Sequence, residues 1–349
     1  SRRVIMSEFR IDQIKSQDAS RGPDVAGITT FTGTSGIVMP SGDTAYRGGR
    51  GRGIFVSGTT ASIPAASLVN TIDYVTIATL GNATDFGDSS ETGQEQKGGC
   101  ASSTRGVYHT TSSNVLEYIT ISSTGNAFDF GDILYARAGT TSIRQTQLCS
   151  DSTRGLISAG YPGLAGKTIE YITISTLGNA TSFGDLLTQA FGPGGSVASS
   201  TRAVHFLSQT PSSSNILEYS TISTLGDAKD FGDLVTGKSM RNCGSFSSPV
   251  RGVYGGGSGI DTIEYITISS LGDSIDFGNL AKSDNNRLSG ASSSTRGLFG
   301  GGETSSPGTT TNVIDYITIA TTGNAADFGD LSQARSGGSS LSDSHGGLG

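Results

Sequence analysis

Apolar positions in this chain come in short bursts, separated by polar turns that carry glycine. The burst at 169–187 shows the physics. From Ile169 to Ser175 the residues are mostly β-branched or aromatic, which suits a pleated, packed surface. Ile169 and Tyr171 fall on one face, Ile172 and Ile174 on the other, and a strand apolar on both faces is buried on both sides. Gly178 and Asn179 then supply the positive-φ residues of a tight hairpin, and Phe183 returns on the partner strand. An earlier hairpin consists of a Gly/Ser-rich strand, a turn at Ser152-Thr153-Arg154, and a strand from Gly155 to Ala159. The pattern predicts a four-stranded meander with strands A, B, C and D in chain order.

The same burst recurs with a period of about 49 residues. A Tyr is followed twelve residues later by a Phe at Tyr74 and Phe86, Tyr118 and Phe130, Tyr171 and Phe183, Tyr219 and Phe231, Tyr265 and Phe277, and Tyr316 and Phe328. A Gly lies seven residues after each Tyr, and an Asp or Glu immediately before it. A second anchor is the series Arg105, Arg154, Arg202, Arg251 and Arg296, opened less typically by Arg52, with His345 in the same place at the end. One four-stranded sheet cannot cover two apolar faces, so the copies must stack. Stacking twisted sheets about an axis gives a closed ring, an all-β propeller. A linear β-solenoid is the rival, but its repeats are shorter and lack the hairpin glycine.

The units resemble kelch repeats, with a Gly run ending strand B at Gly255-Gly256-Gly257 and Gly300-Gly301-Gly302 and a strand C aromatic at Tyr265 and Tyr316. Phe277 and Phe328 stand where that family usually has Trp, and copies two to four lack the Gly run. The resemblance covers residues 41–349 and implies architecture, not activity. A narrower one rests on IDYITIATTGNAADFGD (314–330), GITTFTGTSGIVMPSG (27–42) and SHGGL (344–348). These strings resemble virion structural proteins, fibre-like or decorating, of tailed phages of marine cyanobacteria.

Residues 336–349 match strands A and B of a further unit and stop before C and D. Residues 27–40 contain a segment able to form the missing hairpin. The favoured expectation is therefore seven blades, six complete repeats plus one closed by both termini; six blades is the alternative. Closure of either kind removes the open sheet edges that invite aggregation. Residues 27–349 form the propeller, and 1–26 stand apart as an arm. There Phe9, Ile11 and Ile14 alternate with polar residues, as in a strand that augments a partner's sheet; the alternative is a loose terminus.

Composition narrows the classes. Gly is 52 of 349 residues, Trp is absent, and charged residues are 15%. The 34% hydrophobic content is too ordered for a low-complexity chain. A net charge of −7 leaves no basic footprint for nucleic acid. No run of 18 apolar residues predicts membrane insertion, and the start lacks a signal peptide's apolar stretch.

Candidate chemistry is sparse. His109, His205 and His345 have no nucleophile motif and no metal-type spacing. Galactose-oxidase-like kelch enzymes hold copper through His and Tyr, and nothing here forms that set. Cys100, Cys149 and Cys243 read as small buried residues. The acid before each Tyr is expected to pair with the repeated Arg (Glu117, Glu170, Glu218, Glu264 and Asp315 with the Arg series). The Asp of each Phe-Gly-Asp, such as Asp88, reads as a turn residue. No catalytic residue, cofactor or metal is expected.

Loop lengths separate two faces. Distances from Arg to Tyr, which contain the B–C loop, run 22, 13, 17, 17, 14 and 20, whereas the C–D hairpin never varies. The B–C and D–A loops share a face, so one face is uniform and the other individual. Binding residues sit on loops held by a rigid scaffold, here 59–70, 161–167, 209–215 and 303–312. The expectation is a non-enzymatic virion part, a head or tail appendage assembled in the host cytoplasm. Its arm would join other virion proteins, and its loop face is the place for a host-surface glycan or protein. The alternative is a cellular kelch-type interaction scaffold.

Overall fold

The computed structural model describes residues 51–60, 67–93, 98–109, 114–134, 146–158, 166–190, 192–210, 212–236, 242–282, 286–304 and 308–348. The arm at 1–26, with Phe9, Ile11 and Ile14, and the 27–40 segment lie outside the described residues. Twenty-four strands form six four-stranded antiparallel sheets, with no α-helix among the described residues. Blade 1 holds β1 (Arg52–Thr59), β2 (Leu68–Thr76) and β3 (Thr84–Gly93). Blade 2 is β4 (Gly99–Ala101), β5 (Arg105–His109), β6 (Val115–Thr120) and β7 (Phe128–Asp132). Blade 3 is β8 (Gln147–Ser150), β9 (Arg154–Ser158), β10 (Thr168–Thr173) and β11 (Thr181–Asp185). Blade 4 is β12 (Gly192–Ala198), β13 (Arg202–Thr210), β14 (Ser212–Thr221) and β15 (Lys229–Asp233). Blade 5 is β16 (Gly244–Ser247), β17 (Arg251–Gly255), β18 (Thr262–Thr267) and β19 (Ile275–Asn279). Blade 6 is β20 (Ser289–Ser292), β21 (Arg296–Gly300), β22 (Val313–Thr318) and β23 (Ala326–Asp330).

The ring has six blades, not seven. The last strand, β24 (Ser339–Ser342), pairs with β1 and becomes strand A of blade 1, in the order β24-β1-β2-β3. The unfinished seventh unit is thus the missing first strand of the first blade, and residues 27–40 are not needed to finish it. The innermost strands follow one another round a closed circle, β24, β4, β8, β12, β16, β20 and back to β24. No gap remains for another blade.

The core lies between blades. Each strand C buries its apolar positions on both sides, as with Ile169 and Ile172, and the strand D phenylalanines are buried in all six copies. The tyrosines are only half-buried, short of the full burial their repetition suggests. Tyr and Phe pack edge to face within each blade, at 6.2 Å for Tyr171 and Phe183.

The C–D hairpins weld each blade to the one before. They are longer than two-residue turns: strand C ends at Thr173 and strand D begins at Thr181 in blade 3. Gly178 has φ +146° with open space at its Cβ position, so glycine is required there by backbone conformation alone. Its N–H donates to the Phe130 carbonyl of blade 2 at 2.9 Å. Opposite it, Gly131 has φ +143°, and a Cβ there would meet the Gly178 carbonyl at 2.5 Å. Asp132, read as a turn residue, instead ends strand D, and its N–H donates to Asn179 Oδ1 at 3.0 Å. The same bond recurs from Asp88 to Asn126 and from Asp330 to Asn82.

Candidate functional site

The repeated charges do not pair with each other. In every blade the Arg guanidinium lies over the Tyr of its own blade, between 4.2 Å (Arg251 on Tyr265) and 4.7 Å (Arg296 on Tyr316) from the ring centroid. Its Nη1 donates to an isoleucine carbonyl of the next blade, as from Arg105 to Ile174 at 2.9 Å and from Arg296 to Ile77 at 2.8 Å. The acid is adjacent to Tyr in the strand, so it points to the opposite face, toward the preceding blade. There it receives main-chain amides from the end of strand D or from just beyond it. Leu187 and Thr188 donate to Glu218, Val235 and Thr236 to Glu264, Leu134 to Glu170, and Ser90 to Glu117. Burial raises the Glu218 and Asp315 carboxyls above the ordinary range against those donated bonds. Asp73 is in an ion pair with Arg335 at 3.0 Å, with both side chains buried.

The inner strands enclose a channel with a cavity of about 110 Å³. Its lining includes Ser150, Ser196, Ser247, Ser292, Ser340 and His345, and among the described residues no Asp, Glu, Lys or Arg. The serines answer a physical need. Each strand A turns an unpaired edge to the channel, and buried main-chain groups require partners. A serine on the neighbouring blade supplies one. Ser150 donates to the Ala101 carbonyl at 2.9 Å, Ser247 to Ala198 at 2.7 Å, and Ser292 to Ser247 at 2.8 Å. Elsewhere Ser340 donates to Gly290 and Ser289 to Gly338.

At the end formed by the A–B turns, a 3-10 turn at Gly346–Leu348 lies against β8, β12 and β16. His345 therefore does not stand in for the repeated Arg; it leaves blade 1 and enters the channel. Its Nε2 donates to the Ala101 carbonyl at 2.7 Å, and its Nδ1 accepts the Gly347 N–H at 3.1 Å. That assignment of the ring proton follows from the two partners.

The other histidines are structural in their surroundings. His109 Nδ1 is 2.9 Å from Thr146 Oγ1. His205 is fully buried, with Nδ1 at 2.9 Å from Ser158 Oγ and 3.1 Å from Ser196 Oγ, while Nε2 has no partner. Burial lowers its pKa to about 4. No carboxylate stands with His205 and these serines in the hydrogen bonds of the site. Among the described residues no group of His, Cys, Asp or Glu could hold a metal ion. Cys100, Cys149 and Cys243 are buried and free, as expected, and burial raises all three thiols.

The repeated turns share one geometry. The Ser-Thr-Arg turns and C–D hairpins repeat in geometry, and their tips expose Leu80, Leu177, Leu225 and Leu271. Much of the B–C and D–A loops lies outside the described residues. Glu303, a residue of one variable loop, is buried and accepts from Arg287 at 3.3 Å and Ser336 Oγ at 3.1 Å. The polar ladder of the channel and the stopper at its end had no signal in the sequence beyond the serine content of strand A. No protein-family model matches the chain, and no curated protein matches it as a relative.

Proposed function

We propose that this chain is a non-enzymatic structural part of a tailed-phage particle, a head or tail appendage attached through residues 1–26. Its loop face would contact the host surface, a glycan or protein there. The observation that carries the reading is a closed ring whose A–B turns and C–D hairpins repeat, while the Arg-to-Tyr spacings that contain its B–C loops run from 13 to 22 residues. Such a body presents variable loops without needing chemistry of its own. The sequence likeness to virion proteins supplies the particle context, and the alternating Phe9, Ile11 and Ile14 supply the attachment.

The test is cryo-electron microscopy of purified particles. Density for a six-bladed ring at repeated positions on the head or tail supports the reading. A particle without the ring, and a chain recovered with host regulatory or metabolic proteins, would replace it with the cellular scaffold reading.

A further inference from the structure

Residues 343–348 fill one end of the channel without belonging to a sheet. Strand β24 stops at Ser342, and the chain then crosses from blade 1 to the inner strands of blades 3, 4 and 5. The place where it settles is defined by the ladder. Along the layer of strand A nearest the A–B turns, the residues are Ala101, Ser150, Ala198, Ser247, Ser292 and Ser342. Alanine at 198 leaves no hydroxyl to cap the Ser150 edge, and Gly347 lies there instead. A Cβ on Gly347 would fall on the Ser150 carbonyl, and one on Gly346 would fall on the Ser248 carbonyl. His345 adds its bond to Ala101, the first residue of the layer.

We infer that this end of the channel is a peptide-binding seat for a His-Gly-Gly turn. It is filled in cis by residues 343–348 and able to take the same segment from a second copy of the chain. Three features select the ligand. Two positions admit only glycine, the imidazole donates and accepts at fixed partners, and the surrounding lining carries no charge. At 345–347 recognition is therefore by main-chain shape and neutral hydrogen bonds, while the Asp343 carboxylate, ahead of the turn, accepts the Arg52 N–H at 2.8 Å. Strand β24 holds the segment beside its seat, and so short a tether gives an effective concentration of about millimolar. A free peptide competes poorly until the cis segment is displaced.

The test uses the full chain. Gly347→Ala prevents the cis segment from seating while every other residue stays. A fluorescent peptide of residues 342–348 should bind this variant at least about tenfold more tightly than the wild-type protein. The same peptide carrying Gly347→Ala should bind neither. His345→Ala, which keeps both glycines, should give intermediate binding. Equal binding to variant and wild type, or binding to neither, overturns the proposal. So does loss of the β signal in circular dichroism for both variants, because the segment would then be part of the ring's core.

Discussion

Arg202 of blade 4 lies with its Cζ 4.4 Å from the ring centroid of Tyr219, and its Nη1 donates to the Ile268 carbonyl of blade 5 at 2.9 Å. One side chain thus joins strand B to strand C within a blade and ties that blade to the next. The arrangement recurs at all six junctions, so the arginines act as staples between blades.

Replacing Arg202 by Met should keep much of the stem packing and lose both polar contacts. A cation–π contact contributes about 0.5–2 kcal/mol, and a charge-assisted hydrogen bond about 1.5–3 kcal/mol. The variant should lose roughly 2–5 kcal/mol in chemical denaturation. Arg202→Lys should recover part of this, since an ammonium can reach one partner but lacks the planar fork. Equal stability of Met, Lys and wild-type proteins would remove the staple role.

The glycine pair at each junction separates two costs that sequence alone merges. Gly178→Ala meets open space and should cost only backbone strain at φ +146°, about 1–3 kcal/mol. Gly131→Ala carries similar strain at φ +143° and also drives its Cβ against the Gly178 carbonyl. It should be clearly the more destabilising of the two, measured as a lower midpoint of thermal unfolding. Equal shifts would mean that the close approach is relieved without cost.

Much of this architecture was legible from the Tyr–Phe spacing, because both anchors belong to one sheet and mark one blade each. The blade number misled because residues 336–349 read as strands A and B of a further unit, when they supply only the strand A that the first blade lacks. Arg52 carried the clue: it follows Gly51 with no Ser-Thr turn before it, so its strand A had to come from elsewhere. The Arg–acid expectation failed on strand geometry. Glu218 and Tyr219 are neighbours in β14 and face opposite blades, so an Arg stacked on Tyr219 cannot reach Glu218. The channel seat was illegible, since it depends on which blades place Ala or Ser in one layer.

Three buried groups should give stability a two-sided dependence on pH. His205 has a pKa lowered to about 4, so the unfolded chain binds its proton more readily than the folded one. Its contribution is complete above about 6.5, the ordinary imidazole value, and is lost as pH falls through 4. Glu218 and Asp315 are raised, so their contribution is present below the ordinary carboxyl range and is lost as pH rises through their raised values. The His205→Gln variant should lack most of the acid-side slope, a term of about 3 kcal/mol at most. An unchanged slope would assign acid sensitivity to other groups.

The ring should depend on β24 more than on any other strand of its length, because β24 is joined to blade 1 by no covalent turn. Its register sets Ile54 against Leu341 and Phe55 against Ser340. Leu341 is buried and packs with Ala101 and Tyr108 of blade 2, so it also bridges the closing junction. Leu341→Ala should cost about 2–5 kcal/mol, the range for emptying a packed core position. Leu341→Asp adds a buried, unpaired charge and should release the strand altogether. The inner edge of β1 would then be open, and exposed edges pair with other chains. The Asp variant should therefore elute as oligomers in size-exclusion chromatography, while Leu341→Ala stays monodisperse with a lowered unfolding midpoint. An Asp variant as stable and monodisperse as the wild type would show that blade 1 closes the ring with three strands alone.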